Sequence, residues 1–476
     1  MHEIQLEPGS YQDRDNRVFY CDQRVFRVLG QEAYEHWKRL STSQFFNTLV
    51  AENKIVSSWL TQNLELPQLL VNRVEVALLE HERVPFISYP YEWCFGMLKD
   101  AALLQLELLT NALSEGMILK DASPYNIQWT GTHPIFIDVL SFEPLSKGSP
   151  WLGYHQFCCL FLYPLLLQAY KNISFHPWLR GNLQGILLDD MYRLLSFYDY
   201  WRPGILTQVV LPFLFQSSFS PQEAKQSDTN LLQPFQSLED TRPLIQKMSV
   251  KLRTLIQRMH WTPNSGGWKN YVDSHSYTDS DWQQKTEFVT AIIQERSWDT
   301  VWDFGCNTGH FSRIAAKNAR YVLALDADHS SIEVLYRSLK TSDNKKILPL
   351  VFNITDPSPG LGWQGLERSP LWERGKPDLI MCLALIHHII IQNNIPMDSF
   401  IEWLSKFNAA LIIEFVSKAD PMVSHMLQYK LDQYADYDHS YFEYCLLQHF
   451  EVRRTVVLAG QTRTLYFATP RQRTDR

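Results

Sequence analysis

The distribution of apolar and polar positions divides the chain into two unlike halves. After residue 300, five runs are nearly continuous in apolar residues: VWDF (301–304), YVLAL (321–325), ILPLVF (347–352), LIMCL (379–383) and LIIEF (411–415). Segments of helical spacing separate them. Strands without an in-and-out alternation are buried on both faces, so the pattern predicts a parallel sheet covered by helices on each side. EVRRTVVL (451–458) and TLYFA (464–468), joined by the short AGQTR, predict a closing antiparallel hairpin.

The first half is less regular. RVFYCDQRVFRVLG (17–30) reads as a β-hairpin, ALLEHERVPFISYPYEW (77–93) begins strand-like and ends as an aromatic loop, and a helical pattern runs from about Met97 to Glu115. The longest apolar run, FCCLFLYPLLL (157–167), falls short of the roughly 20 residues that span a bilayer and predicts a buried helix. Over 216–242, Gln, Ser, Asp and Pro displace the apolar residues. Leu244, Met248, Leu252, Leu255 and Met259 then recur at helical spacing before a break at 262–268. The expected organisation is an α+β domain over 1–215, a linker and connector helix over 216–262, and an α/β domain over 263–476.

Composition narrows the class. With 476 residues, 45% hydrophobic and 20% charged, the chain has material for two or three cores and none of the bias of a disordered protein. Lys and Arg number 44 against 51 Asp and Glu, so there is no basic footprint and nucleic acid is not an expected partner. The first residues, polar and mixed in charge, resemble neither a secretory signal nor a transit peptide. Seven cysteines without CxxC or zinc spacing read as free thiols, and a cytoplasmic location is expected.

The strongest chemical signal is VWDFGCNTGHFS (301–312), a strand entering a glycine turn that opens a helix. Gly305 and Gly309 permit close approach of a ligand at the carboxyl edge of the sheet. A dinucleotide fingerprint would need G-x-G-x-x-G, whereas here the spacing is G-x-x-x-G and an acid, Asp303, stands where it would repel a phosphate. It suits an ammonium group instead. Twenty-one residues after Gly305, Asp326 ends the second strand, where a carboxylate accepts bonds from ribose hydroxyls.

An acid for an amine, an acid for a ribose and no phosphate cradle describe S-adenosylmethionine. Residues 265–470 resemble the class I S-adenosylmethionine-dependent methyltransferases, with Asn307 standing at the middle glycine of the family's first motif. The resemblance implies a Rossmann-like methyltransferase sheet. It further implies cofactor contacts from Asp303, Gly305, Asn307, Gly309 and Asp326, and an adenine partner at Asn353 or Asp356, of which Asn353 is preferred. Leu383 and Ala384 become cofactor wall, and His387 or His388 lies near a small-molecule acceptor. Glu414 and the tyrosines between Tyr429 and Tyr444 are further candidates for that site, against an ordinary scaffold role.

In the first half, Asp121 and Asn126 have the D-x-x-x-x-N spacing of a kinase catalytic loop, and the apolar run PIFIDVL (134–140) carries Asp138. The segment resembles the catalytic and metal-binding loops of protein-kinase-like folds. By that resemblance Asp121 would be a base, with Asn126 and Asp138 as metal ligands. The sequence departs from the pattern: Lys120 precedes the acid, IDVLS replaces the usual metal motif, and neither a Gly-rich phosphate loop nor a strand lysine is evident. The segment is therefore expected to be either an ordinary Asx-containing turn between helix and hairpin or part of a degenerate kinase-like lobe, with Asp121 an exposed loop acid. The overall expectation is a methyltransferase of a small molecule or modified metabolite. The alternatives are a bifunctional kinase-like methyltransferase and a regulatory protein that binds the cofactor without turnover.

Overall fold

The computed structural model describes residues 4–13, 15–61, 76–217, 240–263, 277–428 and 433–471. Most of the expected linker at 216–242, most of the break at 262–268, and Tyr429 lie outside the described residues. The chain forms two compact units, one of residues 1–129, 134–262 and 360–369, the other of 130–133, 263–359 and 370–476.

The first unit begins with a five-stranded antiparallel sheet. Strands β1 (Ile4–Leu6), β2 (Asn16–Cys21), β3 (Arg24–Leu29), β4 (Ser58–Leu60) and β5 (Ala77–His81) lie in the order β1-β2-β3-β5-β4. Asp22 and Gln23, both at positive φ, make the tight turn between β2 and β3. Phe19 and Phe26 stack across that pair at 5.4 Å.

Two short helices, Gln31–Ser41 and Gln44–Ala51, connect β3 to β4. A 20-residue helix, Phe95–Ser114, follows β5 and buries twelve of its side chains. After it come β6 (Met117–Leu119), β7 (Ile127–Thr130), β8 (His133–Phe136) and β9 (Phe142–Pro144). The strand expected over PIFIDVL is shorter than its apolar run. It stops at Phe136, and residues 139–141 form a 3-10 turn because Asp138 is drawn into side-chain pairing described below.

Residues 157–167 form a buried helical segment, as the run of apolar residues requires, with a π turn at Cys158–Leu162. The helix read as a connector, Arg242–Arg258, packs along Phe95–Ser114. Ile245, Leu252 and Ile256 are buried, Ser249 and Thr110 hydroxyls meet at 3.0 Å, and Lys99 Nζ donates to the carbonyls of Gln257 and Met259 at 2.9 and 2.7 Å.

The second unit carries a seven-stranded sheet built from β10 (Trp298–Phe304), β11 (Ala319–Asp326), β12 (Ile347–Val351), β13 (Leu379–Cys382), β14 (Ala410–Val416), β15 (Phe450–Val457) and β16 (Arg463–Pro470). Their order is β12-β11-β10-β13-β14-β16-β15. The first five strands pair in parallel, and β16 enters antiparallel to β14. Strand order reverses between β10 and β13, which opens a crevice outside their carboxyl ends, the place where such sheets bind ligands. Among the described residues, no helix is long and apolar enough to cross a membrane.

If Arg242–Arg258 belongs to the first core, Leu252→Ala should lower the stability of the full chain by about 2–5 kcal/mol, the usual cost of such a truncation in a core. A urea titration followed by circular dichroism measures this; a detached helix would show a change within about 0.5 kcal/mol.

Candidate functional site

The turn after β10 is set by three residues at positive φ: Gly305 (+74°), Asn307 (+50°) and Gly309 (+80°). Asn307 takes the left-handed conformation that its short polar side chain tolerates, and its Oδ1 accepts from the Thr308 N–H at 2.7 Å. At Gly309 a Cβ would meet Leu335 at 2.5 Å, so backbone angle and packing both exclude a side chain. The helix His310–Ala315 starts there.

Asp303 is buried near the end of β10, with its Oδ2 accepting from the Ser312 hydroxyl at 2.6 Å. Burial raises its pKa to about 7, against the Ser312 hydrogen bond. No cation pairs with it directly among the described residues; the nearby Lys285 bonds elsewhere. Asp326, at the end of β11, accepts from the Asn307 and Asp328 N–H groups at 2.8 and 2.9 Å. Its pKa is raised by burial, against those two bonds. The carboxylate thereby ties the glycine turn to the second strand. Asn353, after β12, is exposed, and its Oδ1 accepts from the Thr355 N–H and hydroxyl at 3.0 and 2.8 Å.

On the other side of the strand-order reversal, β13 leads through Leu383 and Ala384 into a helical turn carrying both histidines. Leu383 is buried, and Ala384 has φ +51°, a strained value for a residue with a Cβ. The Ala384 N–H donates to Glu414 Oε2 at 2.8 Å, which holds the strained turn in place. His387 is fully buried and neither of its ring nitrogens has a hydrogen-bond partner among the described residues. Burial and the neighbouring cationic groups hold its pKa well below the usual histidine value. His388 is less enclosed, with Nδ1 2.9 Å from Gln392 Oε1, and burial lowers its pKa as well.

Beneath these turns lies a buried ionic network. Glu414 on β14 accepts from Lys285 Nζ at 2.7 Å, the Tyr277 hydroxyl at 2.7 Å and Arg463 Nη1 at 3.2 Å. Arg463, at the start of β16, donates from Nε to Asp420 Oδ2 at 2.7 Å and from Nη2 to Oδ1 at 3.2 Å. Its guanidinium lies 4.1 Å from the Tyr277 ring centre. Burial alone would raise the Glu414 pKa, but Lys285 and Arg463 hold it below the ordinary carboxylate value.

The sequence offers two traces of this network. Lys285 interrupts an apolar helical stripe with Trp282, Val289 and Ile292, and Glu414 interrupts a fully buried strand. Arg463 and Asp420 leave no such trace, because each sits at a chain reversal where charge is ordinary.

In the first unit, Asn126 and Asp138 do come together, with Asn126 Nδ2 3.5 Å from Asp138 Oδ2. Asp138 is also bound by Arg27 and Ser141. Asp121 is partly buried rather than an exposed loop acid, and its pKa is raised by burial and by the charge of Asp138. Among the described residues, no group of three or more His, Cys, Asp or Glu side chains is suited to a metal ion.

No family model matches the chain. It is 32% identical over 467 residues to the nodulation protein NoeA of Rhizobium meliloti (strain 1021), a match covering 96% of this chain and 94% of that protein. The chain belongs to the NoeA family. Solved structures similar to part of this NoeA-family chain include the N-methyltransferase NodS of Bradyrhizobium japonicum WM9 in complex with S-adenosyl-L-homocysteine (10% identity, TM-score 0.30, covering 43% of this chain and 98% of that one). Another is the magnesium protoporphyrin IX methyltransferase ChlM of Synechocystis PCC 6803 with bound S-adenosylmethionine (17% identity, TM-score 0.30, covering 44% and 93%).

Because Glu414 neutralises two buried cations, Glu414→Leu should destabilise the chain by about 3–5 kcal/mol, the cost of leaving a buried charge without its partner. Guanidinium denaturation measures it. A loss below about 1 kcal/mol would mean that Lys285 and Arg463 reach other partners.

Proposed function

We propose that this protein is an S-adenosylmethionine-dependent methyltransferase acting on a small molecule or modified metabolite, with no nucleic acid involved. The observation that carries the reading is the crevice at the β10–β13 strand-order reversal, lined by a buried acid without a paired cation and by a second acid at the end of the adjacent strand. The residues present fit the cofactor. Among the described residues Asp303 has no direct counter-ion, which an ammonium group would supply. Gly305 and Gly309, both at positive φ, put no side chain at the two ends of the turn. The four lone-pair positions of the Asp326 carboxylate exceed the backbone N–H groups of Asn307, Ala327 and Asp328 that it engages, leaving acceptor capacity for a ribose hydroxyl.

In this reading Asp303 holds the amino acid end, Asp326 the ribose and Asn353 the adenine edge. Leu383 and the backbone of Asn307 form the wall. The cofactor supplies an already activated methyl group on a sulfonium. The chain's contribution is to hold donor and acceptor in line, and such positioning is worth about 7–11 kcal/mol of barrier. Acid–base help matters only for an acceptor protonated at neutral pH. His387 is the preferred base, because neither of its ring nitrogens is committed to a hydrogen bond among the described residues, whereas His388 Nδ1 lies 2.9 Å from Gln392 Oε1.

A kinase-like first unit is the second reading. It is supported by the order of elements, in which a five-stranded antiparallel sheet precedes the long helix and the Asp121–Asn126 loop lies between β6 and β7.

Incubation with radiolabelled methyl donor and a metabolite extract tests the main reading. A labelled product supports it, and binding without any product over a broad acceptor set favours a regulatory protein. Calorimetry should show Asp326→Ala weakening S-adenosylmethionine at least tenfold, equivalent to about 1.4 kcal/mol. Affinity should also fall as pH drops below about 7, because protonated Asp303 no longer pairs with an ammonium group. Asp303→Asn should bind weakly and lose that limb; a parent affinity flat from pH 5 to 8 would refute the assignment. Once an acceptor is in hand, His387→Gln should lower turnover at least tenfold with cofactor affinity unchanged. A change below twofold would leave the histidine as scaffold and methyl transfer as alignment alone.

A further inference from the structure

The kinase-like resemblance implies a divalent metal on Asn126 and Asp138, and the surroundings of these residues do not fit one. Both oxygens of Asp138 are engaged: Arg27 Nη1 donates to Oδ1 at 2.6 Å, and the Ser141 hydroxyl donates to Oδ2. Asn126 turns its amide nitrogen toward Asp138 and Ser141, at 3.5 Å from each, so a donor faces the place where a metal would need an oxygen. The arrangement is a carboxylate already surrounded by donors.

Arg27 is not a surface arginine that could swing away. It lies on β3 in the middle of the five-stranded sheet, paired with Val18 on β2 and Leu79 on β5, and its side chain is 10% exposed. Its Nε is buried without a hydrogen-bond partner among the described residues, so the side chain is held by packing and by Asp138. His81, two residues along β5 from Leu79, is the neighbouring titratable group. Its Nδ1 meets the Ser58 hydroxyl at 2.7 Å, and burial lowers its pKa to about 3, so it stays neutral and leaves Arg27 as the cation facing Asp138 from the sheet. Lys120, the basic residue beside Asp121, lies 3.8 Å from Asp13.

We propose that Arg27 is a fixed internal cation standing where a divalent metal would sit on Asp138, so that the first unit excludes Mg²⁺ and Mn²⁺ and assembles no metal-dependent phosphotransfer site. A divalent ion placed on this carboxylate would lie against a guanidinium that the sheet does not release, with the Ser141 hydroxyl already donating to the other oxygen. The proposal is independent of the methyltransferase reading and stands or falls on metal binding alone.

The test is Mn²⁺ uptake by the full chain, followed by electron paramagnetic resonance of the free ion, without and with ATP. Asp138→Asn should leave uptake unchanged in both arms, because Asp138 is not a ligand in the parent protein. Arg27→Gln should gain one Mn²⁺ site, lost again in the double variant with Asp138→Asn. Parent uptake that Asp138→Asn weakens tenfold or more would overturn the proposal, as would a folded Arg27→Gln protein that takes up no ion. Circular dichroism establishes folding of each variant, and if Arg27→Gln does not fold, the comparison of parent with Asp138→Asn decides.

Discussion

The second unit depends on one buried carboxylate. Glu414 stands in the centre of an otherwise apolar strand, and a charge taken out of water at that depth persists only if partners replace its hydration. Lys285 comes from the helix Asp279–Gln294, Arg463 from the start of β16, Tyr277 from the segment before that helix and the Ala384 N–H from the turn after β13. Asp420 then balances Arg463, so that two cations face two anions. Four separate parts of the chain converge on Glu414, and none can move without leaving a buried charge unsatisfied.

The strained turn at Ala384 follows from this. A left-handed alanine costs about 1–2 kcal/mol and would relax if nothing held it. The hydrogen bond to Glu414 fixes it, and the turn in turn sets the direction in which the chain leaves β13 toward His387. The opposite wall is fixed by a different device, in which Asp326 accepts from the backbone of the glycine turn and so couples β11 to the loop after β10. Each wall of the crevice thus has a carboxylate behind its backbone. That is the preorganisation that the proposed methyl transfer, a reaction governed by alignment, would require.

How much of this could be read in advance follows from what each interaction leaves in the sequence. The five parallel strands of the second unit were legible because burial on both faces writes continuous apolar runs, and the final hairpin because a five-residue gap separates two β-rich segments. The glycine turn and Asp326 were legible because backbone geometry demands particular residue types there. Lys285 and Glu414 left only interruptions in apolar patterns, and their pairing across 129 positions has no local signature. In the first half, the run PIFIDVL promised a longer strand than forms, since a periodicity reading cannot anticipate that Arg27, 111 positions away, captures Asp138 and turns the chain. Arg27 itself sits inside VFRVL, where an arginine reads as an ordinary outward strand residue.

Two acids, one in each unit, show how counter-charge decides what a carboxylate can do. Asp138 has a guanidinium built against it; burial alone would raise its pKa, yet Arg27 and Ser141 hold it below the usual value. Such a group is ionised, neutralised and closed, and contributes to structure. Asp303 is more deeply enclosed, but among the described residues its direct partners are the hydroxyl and backbone N–H of Ser312 and no cation, and its pKa rises to about 7. Chain folding leaves that carboxyl short of one positive charge. A buried group that the protein itself does not satisfy costs stability, and the cost is offset when a ligand brings the missing cation. In the proposed methyltransferase reading, S-adenosylmethionine would bring its ammonium group on the same molecule as the methyl to be transferred, so that satisfying Asp303 would also place the donor, and the deficit left at the end of β10 would become a means of selecting it.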